Sequence, residues 1–289
     1  MTLQEFAHLQ GGATRVCRCL AVERADGLVL GFTDHDRVLA FDGIDFRPET
    51  GVALRAFAFG TGLAVDGSEA LGALSDAAIT EADIRAGRWD GARVRLWLVD
   101  WALPARRVLR FRGSLGEIRR EGGAFTAELR GLSDALNRPL GRLYQARCPA
   151  ALGDGACGVN LSAVTVTSTV AEVSGGRQVV LEAPGPTGWF ADGVLRVTTG
   201  AAAGLAAAIR ADRVEGALRR VELWRGLDAE LVAGDAVDLV AGCDKRLETC
   251  REKFNNIINF RGFPHVPGED WLLTVPSRTA QRDGGALRP

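Results

Sequence analysis

The chain has 289 residues, 47% of them hydrophobic and 25% charged, the balance of an ordinary globular protein with a sizeable core and room for one large or two smaller domains. Its formal net charge of -1 argues against a dedicated DNA- or RNA-binding surface, which would carry a clear excess of cations. The start MTLQEFAHLQGG lacks the basic residues and apolar run of a signal peptide, and the longest apolar stretch, residues 201–209, is about half of what a bilayer span needs.

Residues 1–60 read as β-hairpins. Strand-like runs at 16–23 and 28–33 flank Asp26-Gly27, and runs at 38–41 and 44–47 flank Asp42-Gly43. Asp-Gly pairs suit the positive φ of tight hairpin turns, so an antiparallel meander is expected. Thr80-Glu81-Ala82-Asp83 resembles a capping box opening a short helix that closes at Gly87. A strand over 93–99 follows, with Val94, Leu96 and Leu98 on one face and Trp97 on the other; 107–115 and 124–130 continue it antiparallel. Ser133 is expected to cap a short helix over 134–137, stopped by Pro139 and Gly141.

The second half keeps the β character. Runs at 164–173, 178–182, 194–199, 209–213, 218–223 and 236–240 predict about six short strands closing into a small barrel or sandwich. The fold class is therefore mainly β: an antiparallel N-terminal unit over 1–145, a C-terminal unit over 146–276 built around the small barrel, and a tail over 277–289 expected to be disordered.

Six cysteines without an export signal suggest synthesis in a bacterial cytoplasm, where disulfides are disfavoured and clustered cysteines lean towards metal or cluster binding. Cys148 and Cys157 lie in RCPAALGDGACGVN, just before the barrel. Cys243 and Cys250 lie in GCDKRLETC, just after it, among charges rather than apolar neighbours. If the ends of the barrel lie close together, the two pairs meet. The gaps of eight and six residues are wider than the two to four usual for a structural zinc knuckle, and an iron–sulfur cage tolerates wider spacing. Spacing alone leaves four readings open: an iron–sulfur cluster, structural zinc, two local disulfides, or four unrelated packing residues. A helix opening at Asp244 as N-cap would aim its positive end at an anionic cluster, with Lys245, Arg246, Arg251 and Lys253 adding positive charge.

Other candidates have plainer explanations. Thr33-Asp34-His35-Asp36 sits between two predicted strands, where aspartates usually build turns. Cys17 and Cys19 alternate along a strand and read as small core residues. The segment FNNIINFRGFPHVPGEDW, 254–271, mixes asparagines with large apolar residues and reads as a packed, irregular wall beside the cysteines, its asparagines satisfying backbone groups. A peptidase using Cys148 or Cys157 as nucleophile and His265 as base is the enzymatic alternative.

Four stretches carry a resemblance to a known family: TRVCRCLAVERADGLVLGFTDHDRVLAFDGIDFRP (14–48), GRWDGARVRLWLVDW (87–101), RCPAALGDGACGVNL (147–161) and GCDKRLETCREKFNNIINFRGFPHVPG (242–268). Together they resemble the tail hub protein of gene transfer agents and the related tail proteins of long-tailed phages. The C-terminal half is also similar to the L protein at the tail tip of phage lambda. The resemblance implies a virion structural protein rather than an enzyme, a mostly β homotrimer at the end of the tail tube. The implied partners are the distal tail protein and a central fibre or receptor-contacting megaprotein, with a tail peptidase nearby, DNA passing through the lumen and no stable membrane insertion. It also implies that Cys148, Cys157, Cys243 and Cys250 hold an iron–sulfur cluster of the [4Fe–4S] type, and that the chain leaves the cytoplasm as part of the released particle.

Overall fold

Two aspartate–glycine turns organise the start of the chain. In the computed structural model, which describes residues 14–48, 52–53, 68–73, 79–121, 124–137 and 141–266, β1 (Val16–Glu23) and β2 (Val29–Thr33) pair antiparallel across the first turn. Strands β3 (Leu39–Phe41) and β4 (Ile44–Pro48) pair across the second, where Asp42 and Gly43 take φ of 52° and 73°, the two left-handed positions such a hairpin requires. The expected meander is corrected at this point. β4 lies between β3 and β2 and runs parallel to β2. The cause is the connection after Thr33. The Thr33 hydroxyl donates to the Arg18 carbonyl (2.9 Å) and accepts from the His35 amide (3.2 Å), while Asp34 Oδ1 accepts from the Arg18 amide (2.6 Å). These bonds tie the connection back to β1. The chain then runs out to β3 and returns as β4 against β2.

The nine-stranded sheet has the order β3-β4-β2-β1-β7-β8-β9-β6-β5. Its further members are β5 (Val52–Ala53), β6 (Ser68–Ala73), β7 (Arg93–Asp100), β8 (Arg107–Glu121) and β9 (Ala124–Gly131). β5 and β6, which no pattern in the sequence suggested, extend the sheet beyond β9. β8 runs longer than expected, because it bends at irregularities opposite Leu96/Trp97 and at Leu115/Ile118 instead of ending. Both faces of β7 are used. Val94 and Leu96 join Leu20, Val22, Phe32 and Phe111 in one core, while Trp97 and Val99 join Cys17, Cys19 and Phe46 in another.

Helix α1 (Glu81–Arg85) opens as expected, with the Thr80 side chain accepting from the Asp83 amide (3.1 Å). Helix α2 (Leu132–Leu136) starts two residues earlier than the capping pattern suggests. Gly131 is its N-cap and makes no side-chain bond, so Ser133 lies inside the helix. The residues expected to stop it before Gly141, Pro139 among them, lie outside the described residues.

The second β unit is a closed barrel of β10 (Thr165–Ser174), β11 (Gln178–Leu181), β14 (Leu218–Leu223), β13 (Ala206–Glu215), β12 (Val194–Val197) and β15 (Ala236–Val240), in that order around the ring. Alternating inward residues, Val179, Leu181, Leu195, Ile209, Val221, Leu223, Val237 and Leu239, fill it. β10 and β15 pair from Thr165↔Val240 to Thr169↔Ala236, so the chain enters and leaves the barrel side by side. Arg88 joins sheet to barrel: it pairs with Asp83 (3.1 Å) and donates to the carbonyls of Ala203 (3.1 Å) and Ala201 (2.6 Å).

One buried ion pair braces the barrel. Arg219 and Asp212 contact each other with side chains wholly shielded from solvent. Arg219 also donates to the carbonyls of Pro186 (3.1 Å) and Gly185 (2.6 Å), and its guanidinium lies over the Phe190 ring (4.9 Å). Asp212 accepts from the amides of Phe190 (3.0 Å) and Ala191 (2.9 Å). The pair thereby fixes residues 183–191 across one end of the barrel. Removing one partner strands a buried charge, so Asp212→Ala should lower unfolding stability by about 3–5 kcal/mol, as measured by denaturant titration; a loss within the ordinary surface range of about 0.5 kcal/mol would contradict this role.

Candidate functional site

The cysteine-bearing segments meet where the chain enters and leaves the barrel. On the incoming side, Asp154 organises the loop. Its carboxylate accepts from the amides of Ala151 (2.8 Å), Ala156 (3.0 Å) and Cys157 (2.7 Å). These bonds, from Cys157 first and then Ala151, hold the Asp154 carboxyl below its ordinary range. The loop is thus a turn built on one charged side chain, and it sets the position of Cys157.

On the outgoing side, Gly242 follows β15 and passes so close to the neighbouring loop that an added Cβ would lie 1.5 Å from the Ala191 carbonyl oxygen. Only glycine fits there. The Cys243 amide then donates to the Asp192 carbonyl (3.4 Å), so the loop braced by Arg219 and Asp212 is also the seat of Cys243. Helix α3 (Leu247–Glu252) carries Cys250. Its N-cap is Arg246 with no side-chain bond, which corrects the expectation for Asp244; Asp244 Oδ1 instead accepts from the Arg246 amide (3.0 Å). At six residues the helix is too short to contribute a dipole of note.

Backbone and side-chain bonds stitch the two segments together. The Cys148 amide donates to the Lys245 carbonyl (2.9 Å), and Lys245 Nζ donates to the Ala150 carbonyl (2.6 Å). Asn256 bridges the other two cysteines. Its Nδ2 donates to the Cys157 carbonyl (2.7 Å) and lies 3.7 Å from Cys157 Sγ; its amide donates to the Cys250 carbonyl (2.9 Å), and its carbonyl accepts from Cys250 Sγ (3.2 Å). Asn259 Nδ2 holds Asn256 Oδ1 (2.8 Å). Lys253 Nζ reaches the carbonyls of Trp189 and Gly242 and lies over the Trp189 ring (4.7 Å); burial pushes its ammonium below the ordinary range.

The four thiols share one electrostatic neighbourhood. Burial raises Cys250, and Cys157, Cys243 and Cys148 each add to the rise. Cys243 is raised chiefly by burial, against an opposing effect from Lys245. All four are partly buried, and none forms a disulfide. Among the described residues no three His, Cys, Asp or Glu side chains gather tightly enough to hold a single metal ion. The surrounding charges act differently from a general positive field. Arg251 pairs with Glu252 (2.9 Å) and Arg246 with Asp244 (3.7 Å), while the only two lysines of the chain, Lys245 and Lys253, fasten loops.

The segment after α3 closes over the junction. Phe263 donates its amide to the Gln145 carbonyl (2.8 Å) and packs on Tyr144 (4.7 Å), and Arg142 donates to the Arg261 carbonyl (3.0 Å). The expected wall is correct for Asn256, Asn259 and Phe263 but not for Asn255, Ile257 and Ile258, which are exposed, Ile258 by 86%, and its last part, 267–271, lies outside the described residues. The other sequence candidates fall outside the site. Cys17 and Cys19 are core residues at 5% and 0% exposure, Cys19 pushed up by its bond to Cys17 and by burial. Thr33-Asp34-His35-Asp36 forms the turn described above, with His35 Nδ1 accepting from the Arg37 amide (3.0 Å). His265 is exposed and has no hydrogen bond to any cysteine among the described residues, so the geometry required of a thiol–imidazole pair is not present. Asn256 does what was expected of the asparagines here, satisfying a backbone carbonyl beside the cysteines. Asp154 and Gly242 are the positioning residues that sequence reasoning did not single out, and a Gly directly before a cysteine was the available signal.

Comparison with known proteins places the chain among virion structural proteins. Residues 4–160 match the family model for the baseplate hub protein, N-terminal attachment domain, and residues 188–270 match that for phage conserved hypothetical protein BR0599. A chain from the structure of the virion of a native gene transfer agent particle is 51% identical, with a TM-score of 0.90, covering 99% of this chain and 100% of that one. No curated protein matches the chain. The chain belongs to the baseplate hub family, as a structural component of phage-like tails.

Asp154→Ala should loosen the Cys157 loop. Limited proteolysis should cut within 151–157 faster in this variant than in wild type while the barrel stays intact; equal cutting rates would contradict the role given to Asp154.

Proposed function

We propose that the chain is the hub at the distal end of a phage-like tail tube. Its sheet-bearing part attaches to the tube and to the distal tail protein, and its barrel-bearing part faces the central fibre or receptor-contacting megaprotein. Support comes from the match to a baseplate hub attachment domain over 4–160 and from the 51% identity to a gene transfer agent virion chain along its full length. In this reading three copies surround the tail axis, DNA passes through their lumen, and a tail peptidase can sit beside them. The protein is made in the bacterial cytoplasm and leaves it within the released particle. Deleting the gene should give heads with incomplete or non-delivering tails, and restoring the chain should rescue delivery; complete, delivering tails without the chain would overturn this reading.

Within the hub, Cys148, Cys157, Cys243 and Cys250 are proposed to hold an iron–sulfur cluster of the [4Fe–4S] type. The observation that supports this is that the two segments carrying four free, partly buried thiols are bonded to each other at one junction, through the Cys148 amide on Lys245 and through Asn256 on Cys157 and Cys250. The donor set fits. A single zinc ion needs sulfurs about 2.3 Å from one centre, whereas a cluster spreads its ligands over a cage. When bound, the cluster supplies an anionic cross-link between the ends of the barrel. The chain's own residues do the remaining work: Asp154 and Gly242 place Cys157 and Cys243, Asn256 holds Cys157 against Cys250, and Lys245 ties the two segments. The role is structural, replacing a hydrophobic core that this loop-rich junction lacks.

Protein purified without oxygen should be brown and contain iron and acid-labile sulfide in equal amounts. Cys250→Ser should lose the colour and unfold at lower temperature. A colourless protein containing zinc would overturn the iron assignment and leave the hub reading standing.

A further inference from the structure

Among the described residues, one half of a sheet face is covered by the chain's own hairpin and the other half is not. Leu39, Phe41, Ile44 and Phe46 pack over Cys17, Cys19, Trp97 and Val99. Beyond Trp97 the same face continues as a groove of about 600 Å³ whose walls carry Arg93, Arg95, Arg112 and Arg130. The register explains their convergence. Arg93 lies opposite Glu23 on one side and Ser114 on the other, Ser114 lies opposite Arg130, and Arg95 lies directly opposite Arg112.

Like charges directly opposite each other destabilise a sheet, and the Arg95–Arg112 opposition is neutralised only in part. Glu23 is shared between Arg93 (2.6 Å) and Arg95 (3.8 Å). Arg130 pairs with Glu128 (3.0 Å). Arg112 is exposed and has no ion pair or hydrogen bond from its side chain among the described residues. Arg95 is already aligned, its guanidinium stacked over Trp97 (5.2 Å). The groove also offers apolar contact, through Leu109 at 47% and Leu132 at 67% exposure. Planar guanidinium forks beside exposed leucines suit carboxylates set among apolar side chains.

We propose that this groove is a docking site for an acidic, leucine- or aromatic-bearing peptide segment of a neighbouring tail subunit. A polyphosphate fits less well. Asp42, held by Arg107 (2.5 Å), and Asp134 also line the groove and would repel a continuous row of phosphates, whereas a peptide presents separate negative charges that can avoid them. The assignment of the segment to a tail subunit rests on the hub reading; the chemistry of the groove does not.

The test uses the full chain and two fluorescent probes of equal length, an alternating Glu/Leu/Asp/Trp peptide and a single-stranded DNA oligonucleotide, titrated at low ionic strength. The wild type should bind the peptide in preference to the DNA. Arg112→Glu should weaken peptide binding at least roughly tenfold, as expected for losing a charge-assisted contact and adding a repulsive one. Its unfolding temperature should be unchanged or higher, because the opposition to Arg95 is relieved. Arg112→Gln should give a smaller loss and keeps the test valid if the Glu variant fails to fold. Equal peptide binding by wild type and variants, no binding by the wild type, or DNA binding that exceeds peptide binding and falls with Arg112 would each overturn the proposal. Peptide binding with these properties, but complete tails in cells lacking the chain, would sustain the groove and overturn the hub reading instead.

Discussion

The structure depends on the pairing of the first and last strands of the barrel. Because Thr165 through Thr169 pair with Ala236 through Val240, segments about ninety residues apart in sequence emerge next to each other, and everything at the cysteine site follows from that closure. The hydrophobic interior drives it: inward side chains such as Leu181, Leu195, Ile209 and Leu239 have no exposure, and each contributes about 1.5–3 kcal/mol on burial. Burial alone would not fix the outgoing segment, since the barrel ends in loops. The Arg219–Asp212 pair supplies that precision. It fixes the loop at 183–191, and this loop with the adjoining Asp192 offers carbonyls of Trp189 and Asp192 to Lys253 and Cys243 and leaves room for Gly242 alone.

A buried ion pair is costly to desolvate and is weak evidence for stability in itself. Here its use is positional. Arg219 satisfies carbonyls that a loop crossing a barrel end would otherwise leave without donors, and Asp212 satisfies two amides on the same loop. The thiol site inherits this rigidity from one side and the Asp154 turn from the other. Asn256 then spans the gap between them. In the proposed reading, a cluster held by these four thiols would cross-link the two ends of the barrel.

Much of this was legible in the sequence because its causes are local. Alternating apolar residues and Asp-Gly turns mark the hairpins and the barrel strands, and the position of the cysteine pairs just before and just after the barrel marks the junction where their segments meet. What was not legible depends on distant partners. Nothing in 44–48 says that β4 will pair parallel to β2, since that follows from the turn at Thr33 being tied to Arg18 across the sheet. Ser133 has the right chemistry for an N-cap, yet the strand before it runs on to Gly131 and the helix starts at Leu132. Asp154 looks like an ordinary loop residue until its amide partners are known, and the sequence marks Asn256 as satisfying a backbone group without saying which one. Ile258 looks like core and is exposed, because the short helical turn it belongs to is anchored through Asn256, Asn259 and Phe260 rather than through apolar packing.

The central claim is that four particular thiols, and not the two in the sheet, hold one cluster. Native mass spectrometry of the anaerobic protein, followed by alkylation before and after acid release, tests it most directly. The account predicts a mass increment of one [4Fe–4S] cluster per chain, with Cys148, Cys157, Cys243 and Cys250 alkylated only after release. A chain of apo mass whose four junction cysteines are all alkylated at the outset would contradict it.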